Sequence, residues 1–520
     1  MARRLPLSGL AAFTATAMLL VAAPSASAVD EVNSKKLRDA VTVGGILAHE
    51  RAFQRIANQN GGNRASGLPG YDASADYVKR RLSAAGYEVS EQVFTFPFFQ
   101  ELAPSAFSQA TPTAKDYAPL DPSTSPATGD FSIMEYSGSG DVTAPVVPVD
   151  VLVPPGPTPS SSTSGCEAAD FAGFPAGAIA LVQRGTCDFV VKAANAEAAK
   201  AGAVVIFNEG QPGREDVLNG TLGGPDVTIP VIGTSFAVGE ELVTAARAGE
   251  VTARVSTTTQ SETRTTKNVF GDSVEGDAGK TAVVGAHLDS VPEGAGINDN
   301  GSGTAGILEI AEEMSDLGIK PRQKVRFAFW GAEESGLLGS EHYVETLTDE
   351  GREAIFANLN FDMIGSPNYV RFVYDGDGSA FDFAGPPGSA QIENEIFGRY
   401  FASQGLATLE TQFDGRSDYK AFIDNGIPAG GLFSGAEGVK TPEQAAVFGG
   451  TAGLAYDPNY HQAGDTISNL STKSLFELGD AAAHATLTLA RTRSGFFEDG
   501  SRRRSADRAD LEFKGSHLVK

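Results

Sequence analysis

Cysteine is nearly absent from this chain: two residues, Cys166 and Cys187, in 520. Two thiols allow one disulfide at most, so no disulfide scaffold holds the fold, and an apolar core must. Tryptophan occurs once. Histidine occurs six times, so any imidazole chemistry draws on His49, His287, His342, His461, His484 and His517. Positive charge is scarce as well. Forty Lys and Arg stand against 65 Asp and Glu, a formal net charge of -25. That balance excludes the basic surface that nucleic-acid binding needs. It suits a soluble, self-repelling, exported protein. After residue 28 no segment supplies the roughly 20 apolar residues of a membrane span.

What is present reads as globular. Apolar residues make up 41% and charged residues 20% of a chain long enough for two domains. The first 28 residues have a basic start at Arg3 and Arg4, an apolar run and a small-residue Ala26-Ser27-Ala28 end. This is the pattern of a secretory signal peptide cut after Ala28; a membrane anchor would need a longer, unbroken apolar stretch. The expected location is therefore extracellular, with no membrane contact after cleavage. There the two cysteines most simply form one disulfide, with a metal pair as the alternative. At the other end, residues 495–520 carry Arg502 to Arg504, scattered acids and few apolar residues. They read as a tail removed from the mature protein.

Between these ends the pattern is mostly strand then helix. Residues from Ser34 to about Glu88 read as helical, with Gly86 as a stop. "GAIALVQRGTCDFVVKAANAEAAKAGAVVIFNEG" reads strand, turn, helix, strand, and "TIPVIGTSFAVGEELVTAARAG" repeats it. From Thr265 the units lengthen: "KTAVVGAHLDS", "KVRFAFWGAEES" and "FANLNFDMIGS" are each followed by a helical stretch. "STKSLFELGDAAAHATLTLAR" is a closing helix with Ser471 as N-cap. The expected fold class is α/β, a mostly parallel mixed sheet sandwiched by helices, with a smaller inserted domain.

In such sheets, sites form at the carboxyl ends of strands. His287 ends one strand, Glu333 and Glu334 follow a second, and Asp362 ends a third. Asp299 sits just before a helix, and Tyr460 and His461 occupy the loop before the last helix. Taken singly, each has an ordinary reading as turn, cap or surface residue. Together, converging carboxylates stay ionised most simply around a bound cation, and His with Asp and Glu suits zinc. His287 and His461 then supply one imidazole to each of two metals.

The blocks "GAHLDS", "GINDNGSGTAGILEIA", "FAFWGAEESGLLGS", "NFDMIGSPN", "DGRSDYKAF", "GGLFSGAEG" and "YHQAGDT" resemble the secreted di-zinc aminopeptidases of the M28 family, most closely its leucine-preferring streptomycete members. The segment around Cys166 and Cys187 resembles the protease-associated (PA) domain that some of them carry as an insertion. The resemblance implies an M28 peptidase domain at 29–135 and 262–494, with the PA domain at 136–261. It implies Asp299 as the bridge between two zinc ions, His287 and Asp362 completing one site, and Glu334 and His461 the other. Asp289 is implied as the carboxylate orienting His287, Glu333 as general base and Tyr460 as donor to the oxyanion. Arg416, Met363 and Phe433 are implied to line the substrate pocket. A cis peptide after Asp299 is also implied. The substrates implied are peptide or protein N-termini, and the expected oligomeric state is monomeric.

Two departures stand out. Asn459 and Gly464 occupy positions where many secreted members have a disulfide flanking the Tyr-His pair. Phe476 stands where a calcium-binding carboxylate would be, so calcium is not supported. The alternatives are a carboxypeptidase or other activity of the same family, and a receptor-like protein without activity. The last requires lost ligands, and all five are present.

Overall fold

The computed structural model describes residues 29–121 and 127–493. The expected leader and C-terminal tail lie outside the described residues. The amino-terminal stretch forms three helices, Lys35–Ala40, Val43–Gln59 and Pro69–Ala84. Thr42 caps the second by accepting the Gly45 N–H. Pro69 opens the third at its first position, where a missing N–H costs nothing. Gly86, at φ +82°, lets the chain leave that helix.

The Asp277–His287 strand lies at the centre of the larger lobe, with Gln323–Trp330 and Ile355–Asp362 parallel on either side. Ala429–Phe433 continues in parallel beside Ile355–Asp362. Antiparallel strands flank this block: Phe372–Tyr374 on one side and Thr252–Asp272 on the other. The expected mixed, mostly parallel sheet is the observed one.

Alternate residues of the central strands go to opposite faces. Ala282, Val284, Ala286, Leu359 and Phe361 join the core under the Val43–Gln59, Gly303–Asp316 and Thr472–Arg491 helices. Val283, Ala328 and Trp330 face Tyr343, Val344 and Phe422 on the other side. Burial on both faces explains why these strands read as unbroken apolar runs. Gly285 is required by the single tryptophan: a Cβ there would stand 2.6 Å from Trp330 Nε1. Ser471 caps the last helix as expected, accepting the Ser474 N–H at 3.2 Å.

The smaller lobe is built on Ile179–Gln183, Ala203–Phe207 and Val231–Thr234, parallel neighbours linked through the Phe189–Ala198 and Phe236–Ala248 helices. Cys166 and Cys187 form a disulfide there, which excludes a metal pair. A long antiparallel ribbon joins the lobes, Glu88–Thr111 against Thr252–Asp272, paired from Glu88↔Asp272 to Thr111↔Thr252. The register shifts on either side of Ala103, the irregularity of a β-bulge. Phe107, Tyr117 and Phe131 pack in the core of the smaller lobe. Chain upstream of residue 136, the boundary expected from sequence, thus already packs there. At the other end of the ribbon Phe94, Phe96 and Phe98 pack against Ala332, directly beneath the Glu333–Glu334 turn.

Candidate metal centre

Three strand ends and two loops meet at the carboxyl edge of the central sheet. Trp330 pairs with His287 across neighbouring parallel strands, which sets the Glu333–Glu334 turn beside that imidazole. Asp362 ends the strand on the other side. Asp299 lies in the irregular turn Ile297–Ser302 that leads into the Gly303–Asp316 helix, and the Asp299–Asn300 peptide is cis, as the resemblance implied.

The side chains form two groups that share one carboxylate. Asp299 Oδ1 is 3.2 Å from His287 Nε2, and its Oδ2 is 3.2 Å from His461 Nε2. Asp362 Oδ1 stands 3.3 Å from His287 Nε2, and Glu334 Oε2 stands 3.0 Å from His461 Nε2. Glu333 Oε2 lies 3.8 Å from His287 Nε2. All five expected ligands and the expected base are therefore in one place. Among the described residues, Asp362 Oδ1 and Glu334 Oε1 are buried with no hydrogen-bond partner. Orphaned buried carboxylate oxygens are costly unless a cation takes them. With two imidazoles and a shared carboxylate, this donor set fits zinc.

The ligands are held from behind. His287 Nδ1 donates to the Asp289 carbonyl at 3.2 Å and lies 3.6 Å from Asp289 Oδ1. Asp289 Oδ1 also accepts the Glu333 N–H at 3.3 Å. Ser417 Oγ donates to Asp362 Oδ2 at 2.5 Å and accepts from Asn360 Nδ2 at 2.7 Å, which leaves Oδ1 to face His287. The buried Arg64 guanidinium donates to the carbonyls of Leu288, Ala295 and Gly296 and so ties down the loop before Asp299. Ala332, Met363 and His461 all have positive φ, a conformation non-glycine residues adopt only where the surroundings hold them.

In the metal-free chain the charges here are strongly perturbed. Burial works against ionised Asp299, yet hydrogen bonds from both imidazoles hold its carboxyl below the usual range. Burial pushes Glu334 up to about 7, against the pull of His461. Burial also raises Glu333, with Asp418, Asp362 and Glu334 adding to it and His287 opposing. Both imidazoles are raised despite burial, His287 by Glu333 and Asp362, His461 by Glu334 and Asp299. Crowded, buried carboxylates favour protonated forms unless a cation offsets their charge.

The expected substrate residues lie next to the cluster. Tyr460 stacks on His461 with ring centres 3.8 Å apart, and Arg416 Nη2 donates to its hydroxyl at 3.3 Å. Arg416 also pairs with Glu437 at 2.6 Å. Met363 is buried beside Asp362, and Phe433 lies opposite Asp362 in the parallel register. The remaining described histidines are elsewhere. His49 bonds the Tyr77 hydroxyl, His484 bonds Ser34, and His342 stacks on Phe94. His517 lies outside the described residues. Asn459 and Gly464 cannot form a disulfide; Asn459 is held instead by Asn469, to whose Oδ1 its Nδ2 donates at 2.6 Å.

Several supports carry little mark in the sequence. Ser417 and Asp418 sit inside "DGRSD" and Asp465 inside "YHQAGDT", but nothing in those segments sets them apart from ordinary turn residues. Asp418 is fully buried behind the site, and burial raises it to about 8 against the pull of His287. Glu437 likewise sits inside "GGLFSGAEG", whereas Arg64 carries no signal, because only the fold brings it here.

Two family descriptions match the chain: peptidase family M28 over residues 268–486 and the PA domain over residues 142–242. An aminopeptidase of Pseudomonas aeruginosa is 48% identical over 447 residues, covering 86% of this chain and 80% of its own. Leucine aminopeptidase 2 of Arthroderma otae is 39% identical, covering 89% and 88%. Among solved structures, an aminopeptidase from Aneurinibacillus sp. strain AM-1 superposes with a TM-score of 0.63 at 26% identity, over 88% of this chain and 97% of its own. A zinc aminopeptidase from Bacillus subtilis superposes with a TM-score of 0.58 at 25% identity, over 88% and 98%.

Proposed function

This chain belongs to peptidase family M28 and is an aminopeptidase carrying a PA domain, and from that premise we propose that it is a secreted two-zinc enzyme releasing bulky apolar N-terminal residues. The observation that carries the metal count is Asp299, whose two oxygens each face a different imidazole at 3.2 Å. His287, Asp299 and Asp362 would hold one zinc; His461, Asp299 and Glu334 the other. When bound, the zinc pair supplies Lewis acidity toward a water molecule and the scissile carbonyl.

The protein's own groups do the rest. Glu333, whose carboxylate lies 3.8 Å from His287 Nε2, accepts the proton of the attacking water and delivers it to the leaving amine. The Tyr460 hydroxyl donates to the oxygen on which negative charge develops. Arg416, itself fixed by Glu437, holds that hydroxyl in place. Asp289 keeps His287 in one orientation. Met363 and Phe433, flanking Asp362, supply apolar surface for the side chain to be released. Names of relatives that specify leucine support the apolar preference. The leader pattern and the single disulfide support secretion.

One experiment tests these points together. Protein recovered from the culture medium is assayed on a panel of aminoacyl anilides before chelation, after chelation and after zinc is restored. The expected outcome is fastest release of leucine-like residues, loss of activity on chelation and recovery at two zinc per chain. Full activity with no metal remaining would overturn the metal reading. Preference for basic or acidic residues would overturn the pocket assignment.

A further inference from the structure

Three successive backbone N–H groups lead into the shared carboxylate, and all three end on one residue. Ile297 donates to the Asp465 carbonyl at 3.4 Å, Asn298 to its Oδ1 at 2.8 Å and Asp299 to its Oδ2 at 2.9 Å. Asp465 is 2% exposed and stands four residues after His461, in the same turn. We propose that Asp465 is a positioning residue that fixes the spacing between the bridging carboxylate and His461, and thereby sets the affinity of the second metal position. The proposal rests on the two-metal reading above. Asp465 touches neither imidazole; it acts on them through the main chain.

The geometry calls for a carboxylate. Adjacent N–H donors need two acceptor oxygens side by side. An asparagine offers one, and turns its own NH2 toward the other N–H, which then lies buried without a partner. Asp465 is itself anchored. Its N–H donates to the Gln462 carbonyl at 3.0 Å, which closes the turn that carries His461. Asn469 Nδ2 donates to both Asp457 oxygens at 2.8 and 2.9 Å and lies 3.4 Å from Asp465 Oδ1. Asp457 Oδ2 accepts from Asn298 Nδ2 at 2.6 Å. The pair of aspartates thus holds Asn298 by main chain and side chain, immediately before the bridge. Such a connected, buried network rigidifies what it touches. Gly464 belongs to the same device: a Cβ there would stand 2.0 Å from Asn459 Oδ1, so the turn closes this tightly only with glycine.

The test measures both zinc dissociation constants in the wild type and in Asp465→Asn by competition with a chromogenic chelator, with the melting temperature of the metal-free chain alongside. Expected are a rise of at least tenfold in the dissociation constant of the more weakly held zinc and little change in the other. Wild-type values for both ions would overturn the proposal. So would equal weakening of both with a lower metal-free melting temperature, since that marks a general structural role. Fewer than two zinc ions in the wild type would instead remove the two-metal premise. If Asp465→Asn does not fold, Gly464→Ala decides. It displaces the turn from an exposed position, and the same selective weakening is expected; wild-type affinities in it overturn the proposal.

Discussion

Glu333 and Asp299 are both buried carboxylates within 4 Å of His287 Nε2, yet they have different tasks. Asp299 has both oxygens engaged by imidazoles, whereas Glu333 has only a long approach to one. Replacing Glu333 by Gln keeps the shape and removes the basic oxygen. The expected result is two bound zinc ions and a fall in kcat of about 10²–10⁴-fold, the usual size of a lost general base. Asp299→Asn removes the charge shared by both groups and should lose metal, read as fewer than two zinc per chain by elemental analysis. Equal metal content in the two variants would show that base and bridge are misassigned.

The elements of the larger lobe were legible because their strands and helices differ in period and length, and because His287, Glu334 and Asp362 each stand at the end of an apolar run. What was not legible depends on partners far away in sequence. Asp465 reads as an ordinary turn acid until the segment 297–299 is placed against it. Phe107 and Phe131 lie in a stretch that reads as loop and strand, with nothing in its pattern to say which lobe it packs against.

Lys192 belongs to the same class. It reads as a polar position on a helix, but is fully buried, donating to the Ser164 carbonyl at 2.5 Å and facing Cys166 Sγ at 3.4 Å. Burial pushes its pKa down from 10.5 to about 8, with Glu209, Asp170 and Asp150 offsetting part of the effect. The unfolded chain therefore holds more protons than the folded one between about pH 8 and 10.5, and stability from this group rises with pH in that window. Below it the buried charge costs roughly 3 kcal/mol, from about 1.4 kcal/mol per pKa unit. The melting temperature of the wild type minus that of Lys192→Met should be flat below pH 8 and climb above it. A difference that stays flat through pH 10 would show that the ammonium is solvated in the folded state.

At the scale of the whole molecule, among the described residues the two lobes have separate buried cores, and the ribbon runs into both. The helices and central strands of the larger lobe pack with one another, and the buried residues of the smaller lobe pack among themselves. The Phe94–Phe98 end of the ribbon supports the Glu333 turn through Ala332, so the larger lobe needs that end and not the other. Gln100 and Gln260 are directly paired across the ribbon. Joining them through Asn-Gly, the pair favoured in two-residue hairpin turns, removes residues 101–259 and leaves the hairpin beneath the site intact. Phe99, which packs against the smaller lobe, loses its cover and should be changed to a polar residue in the same variant. The shortened chain should unfold in a single transition, bind zinc as the full chain does and hydrolyse a leucyl anilide with kcat/KM within about tenfold, or 1.4 kcal/mol, of the parent. Rates on long peptides, which reach past the cluster, should diverge further. An insoluble or metal-free product would mean that the two cores fold as one cooperative unit and that the ribbon transmits stability between them.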